Sequence, residues 1–288
     1  MERLGIQKTY KIFIGGKFPR TESGRFYPIN NKQGGLIANM CLSSRKDFRN
    51  AVVAARKAQP DWAGKTAYNR SQILYRLAEI LEARSAAFVV EMTILGLNKK
   101  QAQAEVDRSI DTLVYYAGWC DKYTALFSSV NPTASAHFNF SVHEPMGVIA
   151  MIAPEDSPLH GFVSTLAPAI AGGNTAIVLA SETRATCAIS FAEVVQNSDV
   201  PGGVINILTG AHAELLPHMT SHMDVNALVV ARQGIATEGL MAVTDNVKRM
   251  VDWSTSRAEE SPYHILDLQE VKTTWHPVQT SSSSGSGY

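Results

Sequence analysis

Chemistry in this chain would sit in "GVIAMIAPEDSPLH", Gly147 to His160, where an apolar run breaks into a polar turn. Glu155 and Asp156 could form an acid–base pair, but adjacent residues on a turn commonly point apart, so solvated loop carboxylates are expected. His212, His218 and His222 lie around Pro217 and invite a metal reading. With no cysteine or clustered carboxylate beside them they read as surface-loop histidines, and no metal site is expected. Cys41, Cys120 and Cys187 are scattered, in a loop before the first helix, at the end of an N-terminal helix and on a later helix. Thiol attack needs a thiolate, oxyanion donors and a base for water, and none of the three is given that set.

The elements around the turn are legible. Val148 to Ala153 reads as a strand, and Pro154 ends it because proline cannot continue a central ladder. An Ala-rich helical stretch then runs into Gly172-Gly173-Asn174, and Thr175 to Val178 gives a second strand. Strand, turn, helix, Gly-rich turn, strand is a βαβ unit; the glycine pair alone would signal only a turn. Before it, "KIFIGGKF" reads as a hairpin around Gly15-Gly16. Three amphipathic helices follow, the first with Ser44 or Asp47 as N-cap and Phe48, Val52 and Ala55 at helical spacing. The second carries Ile73, Leu74, Leu77, Ile80 and Leu81 on one face, and the third Val106, Ile110, Leu113, Val114 and Ala117. "SAHFNFSVHEP" alternates like a half-exposed strand. After the βαβ unit come a helix from Ala185 to Gln196, strands at 204–208 and 227–230, a helix from about Ile235 to Val243, and a strand in "NVKRMVDW". An alternating "HILDLQEVKTTWHPV" closes the pattern, and 281–288 reads as a flexible tail.

The bulk numbers exclude several classes. The 288 residues are 45% hydrophobic, carry 26 basic and 26 acidic side chains, and show no basic stripe for nucleic acid. No apolar run is long enough to span a bilayer and "MERLGIQKTYK" lacks a signal-peptide core, so a cytoplasmic location is expected, with neither membrane nor nucleic-acid partner.

The segments "KIFIGGKF", "AVVAARKAQPDW", "NRSQILYRLAEILEAR", "RSIDTLVYYAGW", "HEPMGVIAMIAP", "LAPAIAGGNTAIVLASE" and "VPGGVINILTG" occur in the order seen in NAD(P)-dependent aldehyde dehydrogenases. The chain resembles that superfamily over nearly its whole length, most of all the truncated, non-catalytic half found in family 16. The resemblance implies an α/β fold: a Rossmann-like NAD(P)-binding domain from 1–130 and 146–255, a small β oligomerisation sheet from 131–145 and 262–280, and no catalytic domain. It puts the dinucleotide beside Ile152, Ala153 and Pro154 of the first turn and Ser181 and Glu182 of the second.

Departures from the family decide the functional expectation. Asp156 stands where the family has the asparagine that donates to the oxyanion, and an ionised carboxylate cannot donate. Leu179 replaces the lysine that, with the glutamate matched by Glu182, holds the adenosine ribose. Gln233 and Gly234 stand near the serine that meets the pyrophosphate at a helix N-terminus. Trp253 occupies the place of a catalytic-region glutamate, after which a short linker leads to the closing strand. The implied protein has no catalytic residues of its own, holds NAD weakly if at all, and assembles through its oligomerisation sheet with a full-length catalytic aldehyde dehydrogenase. The alternative is an NAD(P)-binding oxidoreductase acting on aldehydes, with its site rebuilt around Asp156 or His160.

Overall fold

The computed structural model describes residues 8–31, 33–235, 240–255 and 260–278. It opens with β1 (Lys8–Tyr10), β2 (Phe26–Asn30) and β3 (Leu36–Cys41), a small sheet in which β3 lies between a parallel β1 and an antiparallel β2. The hairpin expected around Gly15-Gly16 survives only as its turn. Both glycines take positive φ, +61° and +76°, and Ile14 and Lys17 exchange two backbone hydrogen bonds. The arms do not extend because Phe13 pairs instead with Ile207, 2.9 and 2.7 Å. The true hairpin joins β2 to β3, its loop closed by Asn31 Oδ1, which accepts from the amides of Gln33 and Gly35. Cys41 therefore ends a strand rather than lying in a loop.

Four longer helices and one short one follow. In α1 (Arg45–Ala63), Ser44 is the N-cap and Asp47 reaches back to the Ser44 amide at 2.8 Å, a capping box. The second amphipathic stretch divides at Arg84 into α2 (Ala67–Ala83) and α3 (Ser85–Ile94). Then come α4 (Lys99–Trp119) and the short α5 (Tyr123–Phe127). Of the face expected on α4, Val106, Leu113 and Ala117 are buried, whereas Val114 is exposed.

An antiparallel flap is built from β4 (Ser129–Asn131), β5 (His137–Pro145) and, far along the chain, β11 (Gln269–Pro277), with β5 in the middle. Between them lies the parallel sheet: β6 (Val148–Ile152), α6 (His160–Ala171), β7 (Thr175–Leu179), α7 (Thr186–Gln196), β8 (Ile205–Leu208), α8 (His212–Ser221), β9 (Ala227–Val230) and β10 (Arg249–Asp252), in the order β10-β9-β6-β7-β8. The strands β6 to β9 are buried throughout, which is why they read as unbroken apolar runs. Along β6, Ile149 and Met151 face the core under α2, α4, α6 and α7, while Val148, Ala150 and Ile152 face the core under α1 and α8. The carbonyls at the end of α6 are taken up from the N-terminal helices, Ile170 by Trp62 Nε1 at 3.1 Å and Ala171 by Arg70 Nε at 3.2 Å.

The helix expected over 235–243 falls partly outside the described residues, at 236–239; Met241–Asn246 forms a 3₁₀ turn. The tail at 281–288 also lies outside them. After β10, residues 253–268, with the short α9 (Tyr263–Leu266), are all that separates the parallel sheet from β11. Trp253 is buried there, its Nε1 donating to Asp267 Oδ2 at 2.9 Å and its ring against His264, centroids 4.9 Å apart. Among the described residues, no helix is long and apolar enough to cross a membrane.

Candidate functional site

The chain runs β6, β7, β8 in one direction and then returns to the far side of β6 for β9 and β10. Loops leaving the carboxyl ends of β6 and β9 therefore diverge, and a doubly wound sheet binds its ligands in the crevice so formed. Three expected site residues sit at the first of these loops. Ile152 ends β6 wholly buried, the Ala153 amide donates to Leu179 O at 2.9 Å, and Pro154 lines the crevice.

Glu155 is not the solvated carboxylate expected from the sequence. Its side chain accepts from Ser181 Oγ at 2.5 Å, from the Glu182 amide at 2.6 Å, and from the Thr183 hydroxyl and amide at 2.9 and 3.3 Å. It also forms an ion pair with Arg232, which enters from the loop after β9 with its side chain only 10% exposed. The same guanidinium donates to Glu182 at 3.0 Å. Glu182, expected beside a ribose, is further engaged by the backbone amide of His212 at 2.7 Å and by its Nδ1 at 2.5 Å. His212 thus opens α8 rather than lying in a surface loop, and Ser181 binds Glu155 instead of facing a vacant groove. Burial lowers the pKa of Arg232, but a guanidinium stays charged in proteins.

The space at the switch point itself is small, while a larger cavity of about 520 Å³ opens beside Glu182, Thr183, Gly210 and Glu214. A cavity of about 170 Å³ is lined by Pro154, Glu155, Asp156, Arg232 and Gln233. Ligand pockets for drug-sized molecules start near ~300 Å³. Leu179, in the lysine's place, is a core residue packed with Ile152 and Leu208. Gln233 and Gly234 form a turn, Gly234 at φ +77°; the start of the following helical segment lies outside the described residues.

The start of α6 also carries a carboxylate. Glu105 of α4 accepts from the Leu159 and His160 amides at 3.3 and 2.9 Å and from Ser157 Oγ at 2.8 Å, capping a helix whose own N-cap residue supplies no side chain. Behind it His160 is buried with Nε2 3.3 Å from Thr112 Oγ1. Asp156 lines the small cavity and, with Glu105, Arg108 and Arg184, an open one, and His160 lines neither.

All three cysteines are buried. Burial pushes the Cys120 thiol up to about 12 and holds Cys187 well above the usual thiol range, the reverse of what a nucleophile needs. His218 lies on α8 and His222 caps its end. Among the described residues no group of histidine, cysteine and carboxylate side chains could hold a metal.

A doubly wound parallel sheet with a crevice at its reversal point, joined to a three-stranded antiparallel flap, defines a nucleotide-binding type of domain. The chain belongs to the aldehyde dehydrogenase family, whose model matches residues 18–250. It is 30% identical over 234 residues to the cytosolic 10-formyltetrahydrofolate dehydrogenase of Mus musculus, covering 79% of this chain and 26% of that protein. It is 29% identical over 282 residues to the Xenopus laevis protein of the same name, covering 94% of this chain and 31% of the other. Among solved structures, HpcC from Thermus thermophilus superposes with a TM-score of 0.80 at 24% identity, over 85% of this chain and 48% of that one. An NAD+ complex of a Bacillus cereus aldehyde dehydrogenase gives 0.80 at 23%, over 85% and 50%. At these identities the structural likeness shows the fold. The chain spans about a quarter to a third of these curated relatives and about half of the solved chains.

Proposed function

We propose that this chain is a non-catalytic aldehyde dehydrogenase-like subunit that assembles, through β4, β5 and β11, with a catalytically complete NAD-dependent aldehyde dehydrogenase. The observation that carries the reading is the flap. The register pairs Thr274 with Phe140 and His276 with Phe138, so Phe138, Phe140, Val142 and Val130 share one face, and Val271 and Trp275 lie on the other. On the first face Val130 is 70% and Phe138 48% exposed; on the second Val271 is 61% and Trp275 59%. Both faces thus present apolar side chains to solvent, and among the described residues β11 pairs only with β5, so its outer edge is open. Such an edge is a liability unless another strand covers it, and a partner's strand would satisfy it by β-augmentation.

Two further features support the reading. Residues 253–268 leave no room between β10 and β11 for a second domain, and the buried thiols supply no nucleophile. NAD, if it meets this chain, is held weakly. Catalysis rebuilt around Asp156 or His160 is disfavoured, because His160 is buried against Thr112 and does not line the cavities that Asp156 lines.

The test is co-purification with a full-length aldehyde dehydrogenase encoded alongside it. Phe138→Glu and Trp275→Ala should release the chain, each costing about 2 kcal/mol or more if it is an interface hot spot. A truncation should start at Glu270, because Asn174 Nδ2 donates to Leu268 O and Gln269 Nε2 to Gly172 O, tying both residues to the parallel-sheet domain. Full-stoichiometry co-elution of the double variant would place the interface elsewhere, and a wild-type chain that stays a monomer beside every candidate would refute the reading.

A further inference from the structure

Phosphates bind proteins where loop amides and a cation converge at the carboxyl end of a parallel strand. Here that position is filled from within. The Glu155 carboxylate gathers the Glu182 and Thr183 amides, the Ser181 and Thr183 hydroxyls and the Arg232 guanidinium around itself. This is the donor set a phosphate group would take. The residue bridges the reversal point, since its own loop follows β6, its amide donors follow β7 and its guanidinium follows β9.

We propose that Glu155 is a built-in anion that closes the crevice to phosphate-bearing nucleotides, and that neutralising it turns Arg232 and the 181–183 loop into a phosphate site. The inference deepens the reading of a chain that holds no dinucleotide tightly and does not depend on the partner. A resident carboxylate acts twice over, occupying the donors and repelling an incoming phosphate. Arg232 should keep its place when Glu155 is replaced, because its other amino group donates to Glu182, which His212 holds in turn. The loss of charge at Leu179 would weaken nucleotide binding; an engaged Glu155 blocks it.

The experiment compares the full chain with Glu155→Ala and Glu155→Gln, titrating inorganic phosphate by phosphorus NMR and ADP by calorimetry. Either variant should bind phosphate or ADP about tenfold to a hundredfold more tightly than wild type, the range of a charge-assisted hydrogen bond. Adding Arg232→Met should return affinity to the wild-type level. ADP binding no tighter than phosphate would assign the gain to the anion alone; tighter ADP binding would add the nucleoside, and both uphold the proposal. Glu155→Gln keeps the side chain's shape without its charge and reads the effect if the alanine variant folds poorly. Variants with unchanged circular dichroism and no gain overturn the proposal while leaving the cofactor-free reading intact. Wild-type chain that binds ADP or NAD as tightly as the variants overturns both.

Discussion

Trp253 offers a test of whether a position that resembles part of a catalytic region now serves only the fold. Its ring is 2% exposed, packs at a tilt against His264 and donates to Asp267, so it ties the end of β10 to the linker that leads into β11. Trp253→Ala removes a buried aromatic and should cost about 3–5 kcal/mol. Trp253→Phe keeps most of the ring and loses the N–H; a hydrogen bond to a carboxylate is worth roughly 1.5–3 kcal/mol, and partial burial puts this one near the low end. Trp253→Glu, which restores the family's residue, buries a second carboxylate beside Asp267 and should destabilise at least as much as alanine. Urea unfolding followed by far-ultraviolet circular dichroism measures all three. A cycle with Asp267→Ala should return a coupling of about 1 kcal/mol or more. If Trp253→Phe is as damaging as Trp253→Ala and the coupling vanishes, the hydrogen bond is not the tie described. If Trp253→Glu is stable, the site is not a structural one.

Other outcomes follow from the same contacts. Cys120 and Cys187 should stay unmodified by a thiol reagent in the native chain and react on unfolding, and fast native labelling would contradict their raised pKa values. Burial holds His264 below its ordinary pKa of 6.5, so the unfolded chain binds more protons here. The stability this group contributes is therefore present above about 6.5 and is lost as pH falls through the folded value; His264→Gln should flatten the urea midpoint across that window, and parallel slopes would refute the claim. Lys248 Nζ donates to the carbonyls of Met219, Thr220 and His222 at the end of α8, so Lys248→Met should cost about 1–3 kcal/mol by thermal melt, and a neutral result would show that solvent satisfies those carbonyls.

The parallel strands are legible in the sequence because a strand buried on both faces leaves an unmistakable apolar run. β9 spans Ala227–Val230, as its sequence indicates. The start of α1 is half legible, since Ser44 and Asp47 both read as N-caps and the structure puts Ser44 there with Asp47 reaching back to it. β3 is not legible, because "LIANMC" does not alternate and β1, one of its partners, is a short parallel strand with no turn joining the two. The division at Arg84 leaves no mark since the apolar spacing continues through it. The Glu155 cluster is hidden for a different reason. Side chains adjacent on a turn do point apart, but Glu155 points at Arg232, seventy-seven positions on, and no local pattern announces that partner.

The pairing of Phe13 with Ile207, and of β5 with β11, also bears on how the chain matures. Neither contact can form on the ribosome until most of the chain has emerged, and contacts so distant in sequence make for slow folding. While synthesis continues, β5 waits with its aromatic residues and one backbone edge unpaired, the kind of intermediate that aggregates. A partner of the kind proposed would cover the outer edge of β11, so it acts only once that strand has paired with β5. Yield in a heterologous host should accordingly depend on how quickly β11 reaches β5, and not only on how stable the finished fold is.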